Sequence, residues 1–173
     1  MRLAFLTLVA ASIALPASAQ VRVAMGEQVV FTLDAGAAVE VKREEAAPNP
    51  YERALAQEFG RGDHDDAIGA NGVVLPARRD RPAAPPPEPG KIRARFTPAL
   101  REAHSLLVID NGYDQGLVYR ATIGVDGKSG PTDVCLVMPG KATIEHWPYK
   151  IAWIELRDFR LVPWKPGDGL PCA

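Results

Sequence analysis

The chain has 173 residues, and its 20 Lys and Arg residues nearly balance its 21 Asp and Glu residues. Proteins that bind nucleic acids or anionic membrane surfaces carry a basic excess. The balanced charge therefore argues against both kinds of partner.

The first residues have the pattern of a signal peptide. Arg2 precedes an apolar run over residues 3–15, and small residues suited to signal peptidase follow at positions 17–19. The run is shorter than the roughly 20 apolar residues that a membrane-spanning helix needs, and no later stretch is apolar enough. We expect residues 1–19 to be removed and the mature protein to work in the periplasm or outside the cell. An uncleaved N-terminal anchor is the alternative.

Two cysteines, Cys135 and Cys172, are present. Because thiols are normally oxidised in pairs after export, we expect a disulfide between them. In the chain-entropy model such a bond adds roughly 3–4 kcal/mol, and it would tie the C-terminal end to the strand that carries Cys135. A metal site needs more ligands than two distant cysteines supply, and a catalytic cysteine needs a free thiolate.

Residues 20–43 form an N-terminal β segment. Three short runs of mostly β-favouring residues, at 21–24, 28–33 and 38–42, are separated by turn residues and predict three strands. Three such strands bury little surface alone. They must therefore pair with later strands or join another protein's sheet.

Residues 44–90 form a connector rich in Ala, Pro, Gly and Arg. Asn49 is followed by a proline and then by Glu52, three residues after the cap, which is the pattern of a capping box at a helix start. We expect a short helix at 50–59. The prolines of residues 82–90 favour an extended spacer, and we expect much of the connector after the helix to lack regular structure.

Residues 91–173 have the densest strand signals. Turn clusters separate six apolar runs, at 92–96, 106–110, 117–123, 134–138, 151–156 and 159–162. Alternate residues in the third run, Leu117, Tyr119, Ala121 and Ile123, predict one buried face. The sequence therefore predicts a mainly all-β protein, an immunoglobulin-like two-sheet β-sandwich with one short helix in the connector. A small barrel is the second choice.

An unusual cluster, Glu145, His146, Trp147 and Tyr149, surrounds Pro148 between two expected strands. Such a group can stack a sugar or hold a peptide, so we consider it a candidate patch for a ligand or partner, an envelope protein or a glycan. In the alternative interpretation Trp147 closes the end of the sandwich. Glu145 and His146 do not suit a general acid–base pair, because adjacent strand residues point to opposite faces.

Signals for catalysis, cofactors or metals are weak. The mature chain has no Gly-x-Ser-x-Gly motif and no glycine-rich phosphate loop. The acidic run at 62–66 lacks the spacing of a calcium loop. His64, His104 and His146 share no zinc-ligand spacing, which leaves only a three-histidine site assembled by the fold. We therefore predict no catalytic, cofactor or metal residues.

Three functions remain open. The first is a non-enzymatic binding or assembly module of the cell envelope. The second is a hydrolase or lyase that uses carboxylates brought together by folding, which requires two of them within about 5–10 Å. Its candidate residues are Asp110, Asp114, Asp133 and Glu145. The third is a purely structural envelope protein.

Overall fold

The structure, a computed structural model, describes residues 20–61, 82–99 and 104–169. Within these ranges there are nine strands and one helix. They are β1 (Gln20–Ala24), β2 (Glu27–Asp34), β3 (Ala37–Glu45), α1 (Pro50–Arg61), β4 (Ile92–Pro98), β5 (Ser105–Asn111), β6 (Gly116–Val125), β7 (Lys128–Thr132), β8 (Ala142–Trp147) and β9 (Trp153–Val162). The expected signal peptide, His64, the acidic run at 62–66 and Cys172 lie outside the described residues.

The strands form two antiparallel sheets that pack face to face. The four-stranded sheet has the order β1-β9-β6-β7, and the five-stranded sheet has the order β3-β2-β4-β5-β8. The predicted all-β sandwich is confirmed. Residues 20–43 belong to it, because β1 pairs with β9 and β2 pairs with β4, with Val23 opposite Ile154 and Val29 opposite Ala94.

The core lies between the sheets and is made of alternate residues along the strands, as the period of two in a strand dictates. Phe31 and Phe159 meet across the sandwich with ring centroids 5.2 Å apart. The predicted buried face of β6 is confirmed. Other core side chains are Val21, Val23, Val29, Ile92, Ala94, Phe96, Leu107, Ile109, Trp147, Ile151, Ile154 and Leu156.

Helix α1 begins with the predicted capping box. The Asn49 side chain accepts a hydrogen bond from the Glu52 backbone N–H at 2.9 Å, and the Glu52 carboxylate accepts one from the Asn49 N–H at 2.8 Å. The expected helix at 50–59 is confirmed and runs to Arg61. One side of α1 covers the outer face of the five-stranded sheet, where Ala56 packs with Leu106 and Val108.

A buried ion pair anchors α1 to the sheet. Glu52 is fully buried, and its Oε1 lies 2.5 Å from Nη2 of Arg95 on β4. The two groups meet as charges rather than through an aligned hydrogen bond. Glu52 therefore caps the helix with one carboxylate oxygen and holds the helix to the sheet with the other.

Three strand predictions were wrong. A turn cluster was expected at 126–131, but residues 128–132 form β7, which pairs with β6. Residues 142–147 form β8, which the apolar runs did not include. The run at 134–138 is not a regular strand. It makes a single bridge, Val137 to Leu117, while Leu136 and Met138 pack in a small cluster with Val118. These residues are apolar because they are buried, not because they extend a sheet.

The last two predicted runs, 151–156 and 159–162, form one strand, β9, which begins at Trp153, so residues 151 and 152 precede it. Asp158 has a φ of 56°, and the pairing with β6 shifts between Val118 and Arg120. This irregularity is a β-bulge, in which an extra residue of β9 is inserted without ending the strand. The bulge explains the polar interruption that the sequence shows between the two runs.

Gly112 joins the proline-rich segment to the sandwich. Its N–H donates to the Lys91 carbonyl, and its own carbonyl accepts from the Gly90 N–H, both at 2.8 Å. A Cβ here would lie 1.8 Å from the Glu88 carbonyl oxygen. We expect Gly112→Ala to cost about 1–3 kcal/mol through overpacking, measured as a lower urea midpoint.

The matched control is Gly130→Ala. Gly130 lies in β7, has no positive φ and has open space where a Cβ would be placed. Its midpoint is expected to stay unchanged or to rise slightly, because alanine restricts the unfolded chain. Equal midpoints for the two variants would show that residues 88–91 do not pack on Gly112.

Candidate functional site

Strand β8 sends Glu145 and His146 to opposite sides of the five-stranded sheet. Glu145 is paired with Leu107, a core residue, and points into the sandwich. His146 is paired with Leu106, which packs against α1 on the outer face. The two side chains therefore cannot act on one ligand together.

Trp147 and Tyr149 are also separated. Trp147 is only 7% exposed, packs edge-on against Phe96 and donates from its ring N–H to the Thr132 hydroxyl at 3.2 Å. Tyr149 is 43% exposed after the end of β8. Of the four residues of the candidate patch, Trp147 belongs to the core and Tyr149 to the surface, so the patch is not one continuous surface.

Glu145 instead lies in a different group, which we call the acidic cluster: Tyr119, Asp133 and Glu145. Burial raises the pKa of Glu145 from 4.5 to about 7, and the negative charge of Asp133 adds to the effect. Burial, and then the charge of Glu145, raise the pKa of Tyr119 well above its ordinary value. Glu145 is therefore within electrostatic range of both Tyr119 and Asp133.

The acidic cluster has no cationic or hydrogen-bonding partner in the part of the chain that the structure describes. Tyr119 is 1% exposed, and its hydroxyl group makes no hydrogen bond. Glu145 is half-buried and Asp133 is exposed, so the cluster leads from the surface into the core. Buried polar groups are almost always satisfied, and an exception calls for an explanation.

The acidic cluster lies where the edges of the two sheets meet. Strand β7 is an edge of the four-stranded sheet, and β8 is an edge of the five-stranded sheet. The Trp147–Thr132 hydrogen bond holds their ends together, and Asp133 follows Thr132 directly. We call this side of the sandwich the β7–β8 opening.

The other candidate carboxylates lie apart from the acidic cluster. Asp110 is buried on the outer face and accepts a hydrogen bond from Nε of Arg93 at 2.6 Å. Asp114 is exposed in the turn before β6. Of the four carboxylates considered for hydrolysis, only Asp133 is near enough to Glu145 to contribute to its raised pKa, and neither Asp110 nor Asp114 contributes.

A pair of histidines also meets on the outer face. Nδ1 of His104 and Nε2 of His146 are 3.1 Å apart, a proximity that the 42-residue separation hides in the sequence. Over residues 20–61, 82–99 and 104–169, no three His, Cys, Asp or Glu side chains are grouped so as to hold a metal ion.

Cys135 is half-buried. Its bond with Cys172 stays a prediction.

Comparison with protein families, with curated proteins and with solved structures gives no match. Within the described ranges, the one helix is too short and too polar to cross a bilayer. The class of the protein is therefore that of its fold, a two-sheet β-sandwich.

The raised pKa of Glu145 makes stability depend on pH. The folded state holds this proton up to about pH 7, whereas the unfolded chain loses it near 4.5. The unfolded state therefore binds fewer protons between these values, so the free energy of unfolding falls as the pH rises from about 4.5 to 7. The facing groups, Tyr119 from β6 and Asp133 after β7, are both acidic. His146 points to the other face.

We expect Glu145→Gln to raise the free energy of unfolding at pH 8 by roughly 2–3 kcal/mol and to change it little at pH 4. Urea unfolding of both proteins at the two pH values measures the difference. Asp126→Asn is the control, since Asp126 is an exposed carboxylate at the other end of the β6–β7 hairpin. An equal effect of Glu145→Gln at pH 4 and pH 8 would contradict the assignment.

Proposed function

We propose that the chain is an exported, non-enzymatic binding or assembly module of the cell envelope, and that it contacts its partner at the β7–β8 opening. The observation that carries the proposal is the fully buried Tyr119 hydroxyl, which has no hydrogen-bond partner beside the unpaired carboxyl group of Glu145. A folded chain keeps such a group only at a cost of about 1–3 kcal/mol. A partner that supplies the missing hydrogen bonds would offset that cost.

The opposite side of the sandwich is less suited to recognition. Strand β3 is the edge there, and its last four residues, 42–45, are exposed and charged. Glu40 has a φ of 53°, which interrupts the regular edge. Arg43 also donates to the backbone carbonyl of Arg22 on β1 at 2.7 Å. Charges and irregularities of this kind block the addition of a partner strand. The β7–β8 opening is therefore the better candidate.

In situ photo-cross-linking tests the proposal. A photoreactive residue replaces Tyr149, which is exposed next to the opening, and attached molecules are identified by mass spectrometry. We expect one envelope protein or glycan to be captured, to be lost with Glu145→Gln, and to be retained with the control Asp126→Asn. Capture of nothing above a scrambled control, or capture insensitive to Glu145→Gln, would contradict the proposal.

Export itself is tested on the protein recovered from cell fractions. We expect the intact mass of a chain that begins at Gln20, found in the periplasm or the medium. Cys135 and Cys172 are expected to resist alkylation until a reductant is added, since exported cysteine pairs are oxidised. An unprocessed chain in the cytoplasm, or alkylation without reductant, would contradict this part of the proposal.

A carboxylate-dependent hydrolase acting on an envelope polymer or glycan is the second candidate. The observation that favours it is the pKa of Glu145, about 7, beside the charge of Asp133. A protonated carboxyl next to an ionised one is the arrangement that glycosidases use as acid and nucleophile or base. Release of soluble fragments from envelope glycans, lost with Glu145→Gln, would favour it over the binding module.

A further inference from the structure

Two histidines meet on the outer face of the five-stranded sheet, on the side of β8 away from Glu145. Nδ1 of His104 lies 3.1 Å from Nε2 of His146. The ring centroids are 5.2 Å apart and the ring planes are inclined by 51°, so the rings meet through these nitrogen atoms rather than by stacking face to face. Both residues are half-buried, which leaves part of each ring accessible to solvent. The proposed function does not use this pair.

The backbone fixes the positions of the two rings. His146 of β8 is opposite Leu106 of β5 in the antiparallel register. His104 precedes Leu106 by two residues, so it is the diagonal neighbour of His146 on the same face of the sheet, within reach of a long side chain. The His104 carbonyl also accepts a hydrogen bond from the Ala99 N–H at 3.1 Å. Backbone pairing on either side of the pair therefore holds the imidazoles next to each other.

The chemistry of the pair differs from that of the ion pair on the same face, in which the base Arg95 meets the acid Glu52. His104 and His146 are two bases in contact. In a hydrogen bond between two imidazoles, one nitrogen donates a proton and the other accepts it with a lone pair. A metal ion that takes the place of this shared proton can accept a lone pair from each ring, and neutral imidazole is the commonest metal ligand in proteins.

The distance between the two nitrogens suits two ligands of one transition-metal ion. Zinc–nitrogen bonds are about 2.0–2.1 Å long. Two nitrogens 3.1 Å apart, each at this distance from one ion, subtend an angle of about 95–102° at the ion. This value lies between the angle of about 90° in square-planar or octahedral sites and the angle of about 109° in tetrahedral ones. The lone pairs reach such an ion after a modest rotation about χ2, a torsion that has a broad profile in histidine.

We infer that His104 and His146 chelate a divalent transition-metal ion of the kind that imidazole prefers, such as Zn²⁺ or Cu²⁺. Each ring binds through the nitrogen that faces the other ring and carries its proton on the second nitrogen, so both bind as neutral imidazoles. No group of three metal-ligating side chains occurs among the residues that the structure describes, so water completes the coordination from the solvent side. The hard cations Ca²⁺ and Mg²⁺ prefer oxygen ligands and are expected not to bind here.

The test is an NMR titration of the protein with zinc chloride at pH 7, without an affinity tag, because a histidine tag would bind the same ion. We expect saturable shifts of the ring nitrogen signals of His104 and His146, and no such shifts with calcium chloride or magnesium chloride. The affinity is expected to fall at least about tenfold with His104→Gln and with His146→Gln, because a single imidazole lacks the advantage of two linked ligands. His64→Gln, which changes the third histidine of the chain, is the control and is expected to bind zinc as the native protein does.

The ring signals of the native protein report on the site directly, so the test does not depend on the folding of the variants, which their amide spectra check. Ring nitrogen signals that zinc does not move, zinc binding that persists in both glutamine variants, or an equal loss with His64→Gln would each overturn the inference. Equal shifts with calcium or magnesium would overturn it as well. None of these results bears on the partner at the β7–β8 opening, because the two rings lie on the outer face of the sheet.

Discussion

Replacing Glu52 by alanine is expected to lower the free energy of unfolding by about 3–5 kcal/mol. Two losses add up. Arg95 is only 9% exposed. In the variant its guanidinium group stays charged beneath α1 but lacks the Glu52 carboxylate that pairs with it in the native protein. The capping box with Asn49 is also lost, which by itself costs about 1 kcal/mol.

Urea unfolding followed by circular dichroism measures the effect. Glu44→Ala is the control, because Glu44 is exposed on the edge strand β3, and its change is expected to stay within about 0.5 kcal/mol. The double variant Glu52→Ala with Arg95→Met is expected to recover most of the loss, since no unpaired charge then remains buried. A loss that Arg95→Met does not recover would show that the ion pair does not anchor the helix.

Trp147→Ala is expected to destabilise the protein by about 3–5 kcal/mol, as truncation of a buried tryptophan does. Trp147 packs edge-on against Phe96, and its N–H reaches Thr132 on the other sheet. The variant therefore leaves a cavity in the core and breaks the hydrogen bond that joins the ends of β7 and β8.

Tyr149→Ala is the matched control, because Tyr149 is an aromatic residue of the same segment and is 43% exposed. Its effect on the urea midpoint is expected to be small. If Trp147 were instead a surface residue that contacts a ligand, Trp147→Ala would be as stable as the native protein and would lose only the binding of its partner. A Trp147→Ala protein as stable as Tyr149→Ala would contradict the core position of Trp147.

Local signals in the sequence were sufficient where a structure depends on neighbours in the chain. The capping box at Asn49 and Glu52 predicted the start of α1, because both partners lie within one helical turn. The alternation of Leu117, Tyr119, Ala121 and Ile123 predicted the inner face of β6, since strand residues alternate between faces.

Strands that depend on a distant partner were missed. Residues 128–132 include a glycine and a proline and have little intrinsic preference for a strand, yet β6 holds them in register with Gly130 opposite Ile123. Conversely, residues 134–138 have strong strand propensity but lie in a connection between strands, where all of them except Cys135 are buried. Strand propensity reflects how well a residue fits a pleated, half-buried surface, and it does not show which strand will pair with the segment.

The candidate site was predictable only in part. The sequence singled out Glu145 and Asp133 as separate candidates, but Tyr119 looked like an ordinary core residue. The three lie on or beside three different strands of two sheets, and the register that brings them together is not visible from spacing. The signal that identifies them is an unpaired hydroxyl and an unpaired carboxyl in one place, which a sequence cannot show.

NMR titration of the Glu145 side-chain carboxyl carbon tests most directly whether this group is desolvated and without a cationic partner. We predict a midpoint near pH 7. Asp133→Asn is expected to lower the midpoint, because it removes the neighbouring negative charge. A midpoint near 4.5 that Asp133→Asn does not move would mean that Glu145 is solvated or already paired, and would contradict the assignment.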